Sequence, residues 1–365
     1  MILYYFITIW LFIVLLFGLR PDSIRIAENW PEPPEDNLAK INTFIVFSLV
    51  FASFLLLWFL TAFRSSAIGN DTKNYLRYYN LFSGGIDRSS GLEIGYQVLN
   101  YLISRVTLDQ HAFLIIIASL MYGGVGVYIF NYSHNSAISL VLFYSFFFPA
   151  FACILRQGIA MVIALFGYQL LKNEKKLAAS LLFLLATTFH TSAILCFLLF
   201  LDLKILKKSW FVLGLTALCA IISLTGVLKT VINALLPRYT RYFEGQYASS
   251  GWLAISFYLL SYIIFYFLVD KSLDENDKAD KYVATNFTFL MILTAFGYAM
   301  NLFERAGEYF LLIAVVELPN MLYRGKVKSF RLWLFGICAV FLIVSVLILI
   351  YRPGWNHMYP YEFWH

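Results

Sequence analysis

Charged residues are scarce in this sequence, and their scarcity excludes an ordinary soluble protein. Only 13% of the residues are Asp, Glu, Lys or Arg, whereas 61% are hydrophobic and 36 of the 365 are phenylalanine. Soluble domains carry about 25% charged residues. Apolar runs of the roughly 20 residues that a helix needs to cross a membrane recur along the chain and leave no room for a soluble domain. The composition therefore predicts an all-α, multi-pass membrane helix bundle, with residues 1–365 as a single integral membrane domain.

Cysteine is also rare, and several metal and nucleotide motifs are missing. The four cysteines lie in apolar runs at unrelated spacings, which argues against a disulfide framework or a zinc site. The sequence has no Walker A loop, no HExxH, no GxSxG and no DxD pair to hold a divalent cation on a sugar nucleotide. The acidic stretch DENDKAD (274–280) falls in a predicted cytoplasmic loop and is typical of a solvated linker. We therefore expect no metal, no other cofactor and no nucleic acid partner.

The hydrophobic pattern predicts about twelve helical elements and ten to twelve membrane crossings. The pairs 137–151/156–171 and 177–188/190–203 are short, so each is either two tilted spans or a re-entrant hairpin buried in protein. The first segment lacks a basic n-region and a cleavage site, so we expect it to be a retained span. The predicted elements are 2–19, 41–63, 111–130, 137–151, 156–171, 177–188, 190–203, 209–228, 252–269, 283–301, 306–322 and 331–351.

Lysine and arginine are distributed unequally among the loops, which predicts the orientation. Cytoplasmic loops retain positive charge during insertion. Placing six segments inside gives them 12 of the 14 lysines, whereas 9 of the 13 arginines lie outside. The inside segments are 20–40, 131–136, 172–176, 202–208, 270–282 and 324–331. Outside lie 64–110, 229–251 and 352–365, which we expect to form the active-site face.

Two ionisable residues stand at the ends of apolar runs. Arg156, in ILRQG, either extends to the lipid headgroups or binds an anion, since a guanidinium group grips phosphate and carboxylate oxygens bidentately. His190, in TTFHTSAIL, is either hydrogen-bonded between helices or acts as a general base, since imidazole titrates near neutrality. The neighbouring hydroxyls of Thr187, Thr188, Thr191 and Ser192 are candidate partners for His190.

Polar residues in the outer segments are further candidates. GNDTKNYLRYY predicts a loop that opens a short interfacial helix with Asp71 at its start. Glu93 begins a second amphipathic segment, with Ser89 or Ser90 as candidate caps. Each acidic residue has a structural and a functional interpretation of similar weight. The residues singled out in these segments are Asp71, Tyr75, Arg77, Tyr78 and Glu93.

Arginine and tyrosine alternate in two other outer segments, FERAGEYF and LPRYTRYF. Glu304 and Glu308 are four residues apart on a predicted helix and repel each other unless Arg305, a substrate or a proton relieves them. Arginine with tyrosine suits a sugar phosphate, but it is also the ordinary composition of a membrane interface. The candidates here are Arg238, Tyr239, Arg241, Tyr242, Glu304, Arg305, Glu308 and Tyr309.

The order of these motifs resembles the bacterial polysaccharide polymerases, the Wzy-like and EpsG-like proteins that polymerise O-antigen or exopolysaccharide repeats. The motifs are GNDTKNY, GLEIGYQVL, LRQGIAMVIALFGYQLLKNEKK, TTFHTSAIL, RYTRYF, ERAGEYF and YPYEF, and they span nearly the whole chain. RQG followed about thirty residues later by FHTSA is the most distinctive part. Thr72 stands where family members more often have an aromatic residue after the aspartate.

The resemblance implies a polytopic glycosyltransferase of the GT-C type, in the bacterial cytoplasmic (inner) membrane, with its active site facing the periplasm. Such enzymes transfer a growing glycan from undecaprenyl pyrophosphate to a hydroxyl of the next lipid-linked repeat. Carried onto this sequence, it implies that Arg156 and Arg305 hold the donor pyrophosphate and that His190, or else Glu93 or Asp71, deprotonates the acceptor. The substrate-binding positions would be Asp71, Tyr75, Arg77, Glu93, Arg238, Arg241, Tyr242, Glu308 and Tyr309. The implied partners are the lipid-linked oligosaccharides, membrane lipid and a chain-length regulator protein.

Three other classes remain open at this point. An O-antigen ligase would share the donor and the chemistry and differ in the acceptor. A lipid-linked oligosaccharide flippase or other transporter would normally show internal repeats, which the hydropathy pattern lacks. A membrane O-acyltransferase would explain a membrane histidine but would need an acyl-CoA entry on the cytoplasmic side, against which the outward arginines argue.

Overall fold

The computed structural model is helical throughout the residues it describes. These are residues 1–19, 37–201, 205, 208–235, 240, 243, 251–274, 277–324 and 329–364. The helices are α1 Ile2–Gly18, α2 Asn37–Ala62, α3 Thr72–Ser83, α4 Ile94–Ser104, α5 Gln110–Tyr132, α6 Ser136–Cys153, α7 Leu155–Lys172, α8 Lys176–Phe189, α9 Ser209–Leu224, α10 Val227–Leu235, α11 Trp252–Asp270, α12 Lys278–Phe296, α13 Asn301–Arg324 and α14 Phe330–Tyr351. Short 3₁₀ segments occur at Arg88–Ser90 and Pro353–Trp355, and a longer one at Thr191–Phe200.

Each of the twelve elements predicted from the sequence corresponds to a helical element, which confirms the all-α membrane bundle. Five helices in the described ranges are long and apolar enough to cross a membrane, and a sixth is added if α9 and α10, bent by 74°, form one span. This number is smaller than the ten to twelve predicted crossings. The remaining elements are short, as α1, α8 and the segment Thr191–Phe200 are, or they contain charged and amide side chains, as α7, α12 and α13 do.

The contacts group the chain into two compact units. Unit 1 comprises the described residues of Met1–Ile163, Leu185–Thr191 and Lys328–His365, and unit 2 those of Ala164–Leu184 and Ser192–Val327. In unit 1, α6 packs against α1, α2 and α14, and α2 also packs against α5. Aromatic rings fill its core: Phe143 contacts Phe54 and Tyr122 at centroid distances of 5.8 Å. Unit 2 is built around α12, which contacts α9, α11 and α13.

The C-terminal tail of unit 1 is bound along the segment that directly follows α2. The amide of Trp364 donates to the carbonyl of Phe63, and the amide of Ser65 donates to the carbonyl of Glu362, each at 2.9 Å. The Trp364 indole also stacks on His111, with ring centroids 5.1 Å apart. The segment 352–364 is therefore an ordered part of unit 1.

Arg64 is a wholly buried cation at the point where α2, α3 and α6 meet. Its guanidinium donates to three neutral oxygens: the carbonyl of Thr61, the carbonyl of Ala152 at 3.3 Å and Oγ1 of Thr72 at 3.4 Å. Thr72, the departure from the family pattern, is thus a buried hydrogen-bonding residue. A buried charge needs such a full set of partners, because an unsatisfied one is costly.

Gly69, in the GND motif, allows the backbone to approach the end of α6. Its φ is +84°, and a Cβ at this position would lie 2.7 Å from the carbonyl oxygen of Ala152. Its amide donates to the carbonyl of His357 at 3.1 Å, and the side chain of Asn70 donates to the carbonyl of Trp355 at 2.7 Å. The motif therefore ties α3, α6 and the tail together.

We predict that Gly69→Ala lowers the free energy of unfolding in detergent by about 2 kcal/mol or more. The substitution combines a positive φ, which costs about 1–2 kcal/mol for a residue with a Cβ, with a backbone clash. Thermal unfolding of the purified protein measures the effect. The control is Gly84→Ala, because Gly84 has φ −79° and a Cβ there would lie 3.6 Å from the carbonyl oxygen of Leu81, an ordinary contact distance. Equal melting temperatures for the two variants would contradict the prediction.

Candidate functional site

Glu93 lies at the start of α4 but does not cap it. It is the N-cap residue by position, with an extended backbone (φ −64°, ψ 138°), yet its side chain makes no capping hydrogen bond. Ser90 accepts instead from the amide of Leu92, at 3.3 Å, in the preceding loop. The expected cap by Ser89 or Ser90 is therefore wrong, because the helix begins only after Glu93. The carboxylate of Glu93 is left free to point away from its own helix.

Three residues from other segments surround that carboxylate. Oε2 of Glu93 forms an ion pair with Nη1 of Arg156. Oε1 lies 3.2 Å from Nδ1 of His190 and accepts from the amide of Thr191 at 3.2 Å and from its hydroxyl at 3.3 Å. We call Glu93, Arg156, His190 and Thr191 the Glu93 cluster. All four belong to unit 1.

The Glu93 carboxyl is ionised at neutral pH. Burial acts to raise its pKa, but the adjacent His190 side chain and the positive charge of Arg156 outweigh this and lower the pKa from 4.5 to about 2. Its side chain is only 14% exposed. A carboxylate in this state accepts hydrogen bonds but is a poor proton carrier near pH 7.

Arg156 lies in the first turn of α7, directly after the break that ends α6 at Cys153. Its Cζ is 5.9 Å from the ring centroid of Tyr96, which packs in turn against Tyr75. A cation is unfavourable at a helix N-terminus, where the helix dipole favours negative charge. Glu93 offsets this, so Arg156 is paired within the protein rather than extended to the headgroups. Nε of Arg156 is buried and has no hydrogen-bond partner among the described residues.

His190 separates two helical segments, as the sequence predicts. The α-helix α8 ends at Phe189, and the 3₁₀ segment begins at Thr191. Nδ1 of the imidazole faces Glu93, although without the alignment of a full hydrogen bond. The nearby hydroxyls have other partners: Thr188 donates to the carbonyl of Leu185, and Ser192 donates to Tyr309 in unit 2. Since Nδ1 faces the carboxylate, Nε2 points to the opposite side of the ring.

Asp71, Tyr75 and Arg77 all lie on or next to α3. Asp71 precedes the helix, as expected, but its side chain does not cap it and accepts instead from Asn74 at 3.3 Å. Tyr75 is buried and packs against Tyr96, over whose ring Arg156 lies, with ring centroids 6.1 Å apart. Arg77 is exposed and lies over the ring of Tyr78, at 5.4 Å. Of these three residues, the structure brings Tyr75 to the Glu93 cluster.

Arg305, Glu308 and Tyr309 lie in the first turns of α13, in unit 2. Arg305 is a nearby charge that attracts the Glu308 carboxylate, whereas Glu304 repels it. Tyr309 is buried, and its hydroxyl accepts from Ser192 at 3.3 Å. Arg238, Arg241 and Tyr242 lie outside the described residues.

Thr191 is the member of the cluster whose role the sequence did not predict. The sequence offers Thr191 as a candidate partner of His190, whereas its amide and hydroxyl both donate to Glu93. The signal was its place directly after the break, where a backbone amide has no helical partner of its own. Such amides are available to an acceptor from elsewhere in the chain.

We predict that part of the stability of the protein depends on ionised Glu93. The folded-state pKa lies below the ordinary value of 4.5, so this contribution is complete above pH 4.5 and is lost as the pH falls towards 2. The difference in melting temperature between the wild type and Glu93→Gln should therefore narrow by roughly 2 °C or more between pH 5 and pH 3. Glu362→Gln, at an exposed position in the same unit, is the control. A pH-independent difference for Glu93→Gln would contradict the assignment.

The comparison with protein families covers almost the whole chain. A model described as the EpsG family matches residues 47–363, a range that includes all four members of the Glu93 cluster. No curated protein and no solved structure matches the chain. Because the family match extends over far more than half of the 365 residues, the chain belongs to the EpsG family.

Proposed function

We propose that the protein is a polysaccharide polymerase that transfers a glycan from a lipid pyrophosphate to a sugar hydroxyl. Family membership supports a polysaccharide polymerase-like membrane protein in general. The observation that carries the specific reaction is the pairing of His190 with an ionised Glu93 beside Arg156. This arrangement joins a group that accepts protons with a group that binds anions, and glycosyl transfer from a pyrophosphate needs both.

His190 is the proposed general base. The acceptor hydroxyl oxygen attacks the anomeric carbon, the bond from that carbon to the pyrophosphate oxygen breaks, and the hydroxyl proton passes to Nε2 of His190. Glu93 on the other nitrogen orients the ring and stabilises the imidazolium that forms, as the aspartate does in a Ser-His-Asp triad. The pKa of Glu93, about 2, makes that carboxylate a weak base, so His190 is the better candidate of the two. His190 is also a better candidate than Asp71, whose carboxylate accepts from Asn74.

Arg156 is proposed to bind the leaving pyrophosphate. Its side chain is 23% exposed, and its buried Nε has no partner among the described residues. Since Glu93 holds one nitrogen, the guanidinium plane is fixed before an anion arrives, which lowers the cost of ordering it. The share of Arg305 in binding the donor remains a prediction from the family resemblance.

The proposed location is the bacterial cytoplasmic membrane, with the Glu93 cluster facing outwards. The bias of lysine towards one set of loops supports this orientation. The proposed substrates are undecaprenyl-pyrophosphate-linked oligosaccharides in membrane lipid, and a chain-length regulator is a further candidate partner. The outer face lacks nucleotides, and the sequence lacks a DxD motif. We therefore propose a reaction that requires no metal, with an energy-rich lipid-linked donor.

The reaction can be tested by incubating the purified protein with lipid-linked repeat units. We expect a ladder of products without added metal or nucleotide. A flippase would form no new bond. A ligase would transfer the glycan to a different acceptor and produce no ladder from repeat units alone. Absence of a ladder from active, folded protein would overturn the polymerase assignment.

We predict that His190→Gln lowers the rate of polymerisation by about 100-fold or more, because general base catalysis typically contributes 10²–10⁴. Glutamine retains a polar group of similar size but cannot take the proton. His357→Gln is the matched control, since His357 is exposed on the tail of the same unit. Retained polymerisation in His190→Gln, at normal protein levels, would exclude the base role.

We predict that Arg156→Lys lowers kcat by about 10-fold or more. Lysine keeps the charge but loses the planar, bidentate geometry with which arginine binds phosphate oxygens. Arg88→Lys, at an exposed position in the outer loop, should leave the rate within about twofold. Normal long glycan chains from Arg156→Ala, with normal protein levels, would contradict the anion-binding role.

A further inference from the structure

Gly95 marks the closest approach between α4 and the end of α8. A Cβ on Gly95 would lie 2.3 Å from Oγ1, 2.7 Å from the carbonyl oxygen and 2.9 Å from the carbonyl carbon of Thr188. Two of these atoms belong to the backbone, so a change of side-chain rotamer cannot relieve the clash. Any larger residue at this position must push the two segments apart.

The contact lies immediately beside the Glu93 cluster. Gly95 follows Glu93 by two residues, and Thr188 precedes His190 by two residues. The separation of the segments at the contact therefore controls the distances from Oε1 of Glu93 to Nδ1 of His190 and to the amide of Thr191, which are 3.2 Å each. Interactions of this length are lost if the groups separate by a further 0.5–1 Å or so.

The start of α4 is also held from the other side, so it cannot easily rotate to compensate. Gln97, which is 2% exposed, donates to the carbonyl of Leu92 at 2.7 Å and to Oγ of Ser90 at 3.1 Å, and it accepts from the amide of Asp87 at 2.9 Å. These bonds fix the loop that leads into Glu93 onto the first turn of α4. The Glu93 carboxylate is therefore positioned by the contact of Gly95 with Thr188 and by the hydrogen bonds of Gln97.

We propose that Gly95 is a positioning residue that sets the distance between Glu93 and His190. Gly95 is the second residue of α4, and glycine favours a helix less than alanine does, so its presence there calls for a reason. The reason here is space, because the first turn of α4 must touch the backbone of Thr188. This inference rests on the proposed function, since it concerns the residues that carry the proton transfer.

The first test is Gly95→Ala, with Gly123→Ala as the matched control. Gly123 lies in α5 of the same unit, and a Cβ there meets nothing within 4 Å. We expect Gly95→Ala to lower kcat by about 10-fold or more, since a displacement of about 1 Å can cost up to 100-fold. The KM for the lipid-linked donor should stay within about twofold, which indicates a defect in the transition state rather than in binding. An unchanged kcat would overturn the proposal.

A double-mutant cycle with Glu93→Gln separates positioning from a general loss of structure. If Gly95 acts through Glu93, then Gly95→Ala should change the remaining rate of Glu93→Gln by less than about twofold, because interacting sites are not additive. If Gly95→Ala lowered the rate by the same factor in the wild type and in Glu93→Gln, the contact between Gly95 and Thr188 would act independently of Glu93. That result would overturn the proposal. Recovery of Gly95→Ala by Thr188→Ala would also overturn it, because the backbone clash would then be unimportant.

Two measurements remain informative if Gly95→Ala does not accumulate or if no ladder forms. Glu93→Asp keeps the charge on a shorter side chain, and a fixed start of α4 predicts a loss of about 10-fold or more in kcat. Full activity of Glu93→Asp would overturn the proposal.

If no polymerisation is detected, the pH dependence of stability assigned to Glu93 still reports where the Glu93 carboxylate lies. Gly95→Ala should weaken that dependence, because the contribution of His190 is lost while the Arg156 pair remains, whereas Gly123→Ala should retain it in full. Failure of the positioning role and failure of the polymerase function therefore give different results.

Discussion

The ionised carboxylate of Glu93 is the constraint on which the arrangement of α4, the start of α7 and the break after α8 depends. A charge that is only 14% exposed in an apolar bundle is costly unless other groups satisfy it. Its partners come from the start of α7 and from the break after α8, which are distant in sequence. The requirement to satisfy one carboxylate therefore brings three segments together. The same requirement orients Arg156 and His190, the two residues to which we assign anion binding and proton transfer.

Buried carboxylates in unit 2 also have partners from other helices. Glu317, in the middle of α13, has a side chain that is 3% exposed and pairs with Lys172 at 2.6 Å. Arg324, at the end of the same helix, pairs with Asp280, which is equally buried. The buried carboxylates Glu93, Glu317 and Asp280 are thus each paired with a cation from another element, as is usual for charges within a membrane bundle. Charge pairing thus specifies which helices are neighbours where apolar packing alone would permit several arrangements.

Hydrophobic pattern and break residues predict most of the elements, whereas the contacts between them depend on tertiary structure. The break at His190 and the helix start at Glu93 are visible in the sequence, because helical periodicity stops there. The pairing of Glu93 with Arg156 is not, because the two residues are 63 positions apart and no local pattern connects them. Ser89 and Ser90 are capping residues by type, but they lie in the 3₁₀ segment Arg88–Ser90, which ends three residues before Glu93. The docking of the tail depends on backbone hydrogen bonds, which leave no mark on side-chain composition.

The 3₁₀ segment that follows His190 changes how the length of a membrane element should be counted. Its buried residues, Ala193, Cys196 and Leu199, recur every three positions, which is the period of a 3₁₀ helix. At a rise of about 2.0 Å per residue, ten residues extend about 20 Å, whereas an α-helix of the same length extends about 15 Å. Ten residues therefore cover roughly two thirds of a hydrocarbon core that is about 30 Å thick. A minimum length for a membrane crossing that assumes an α-helix therefore underestimates how far a short 3₁₀ segment extends into the membrane.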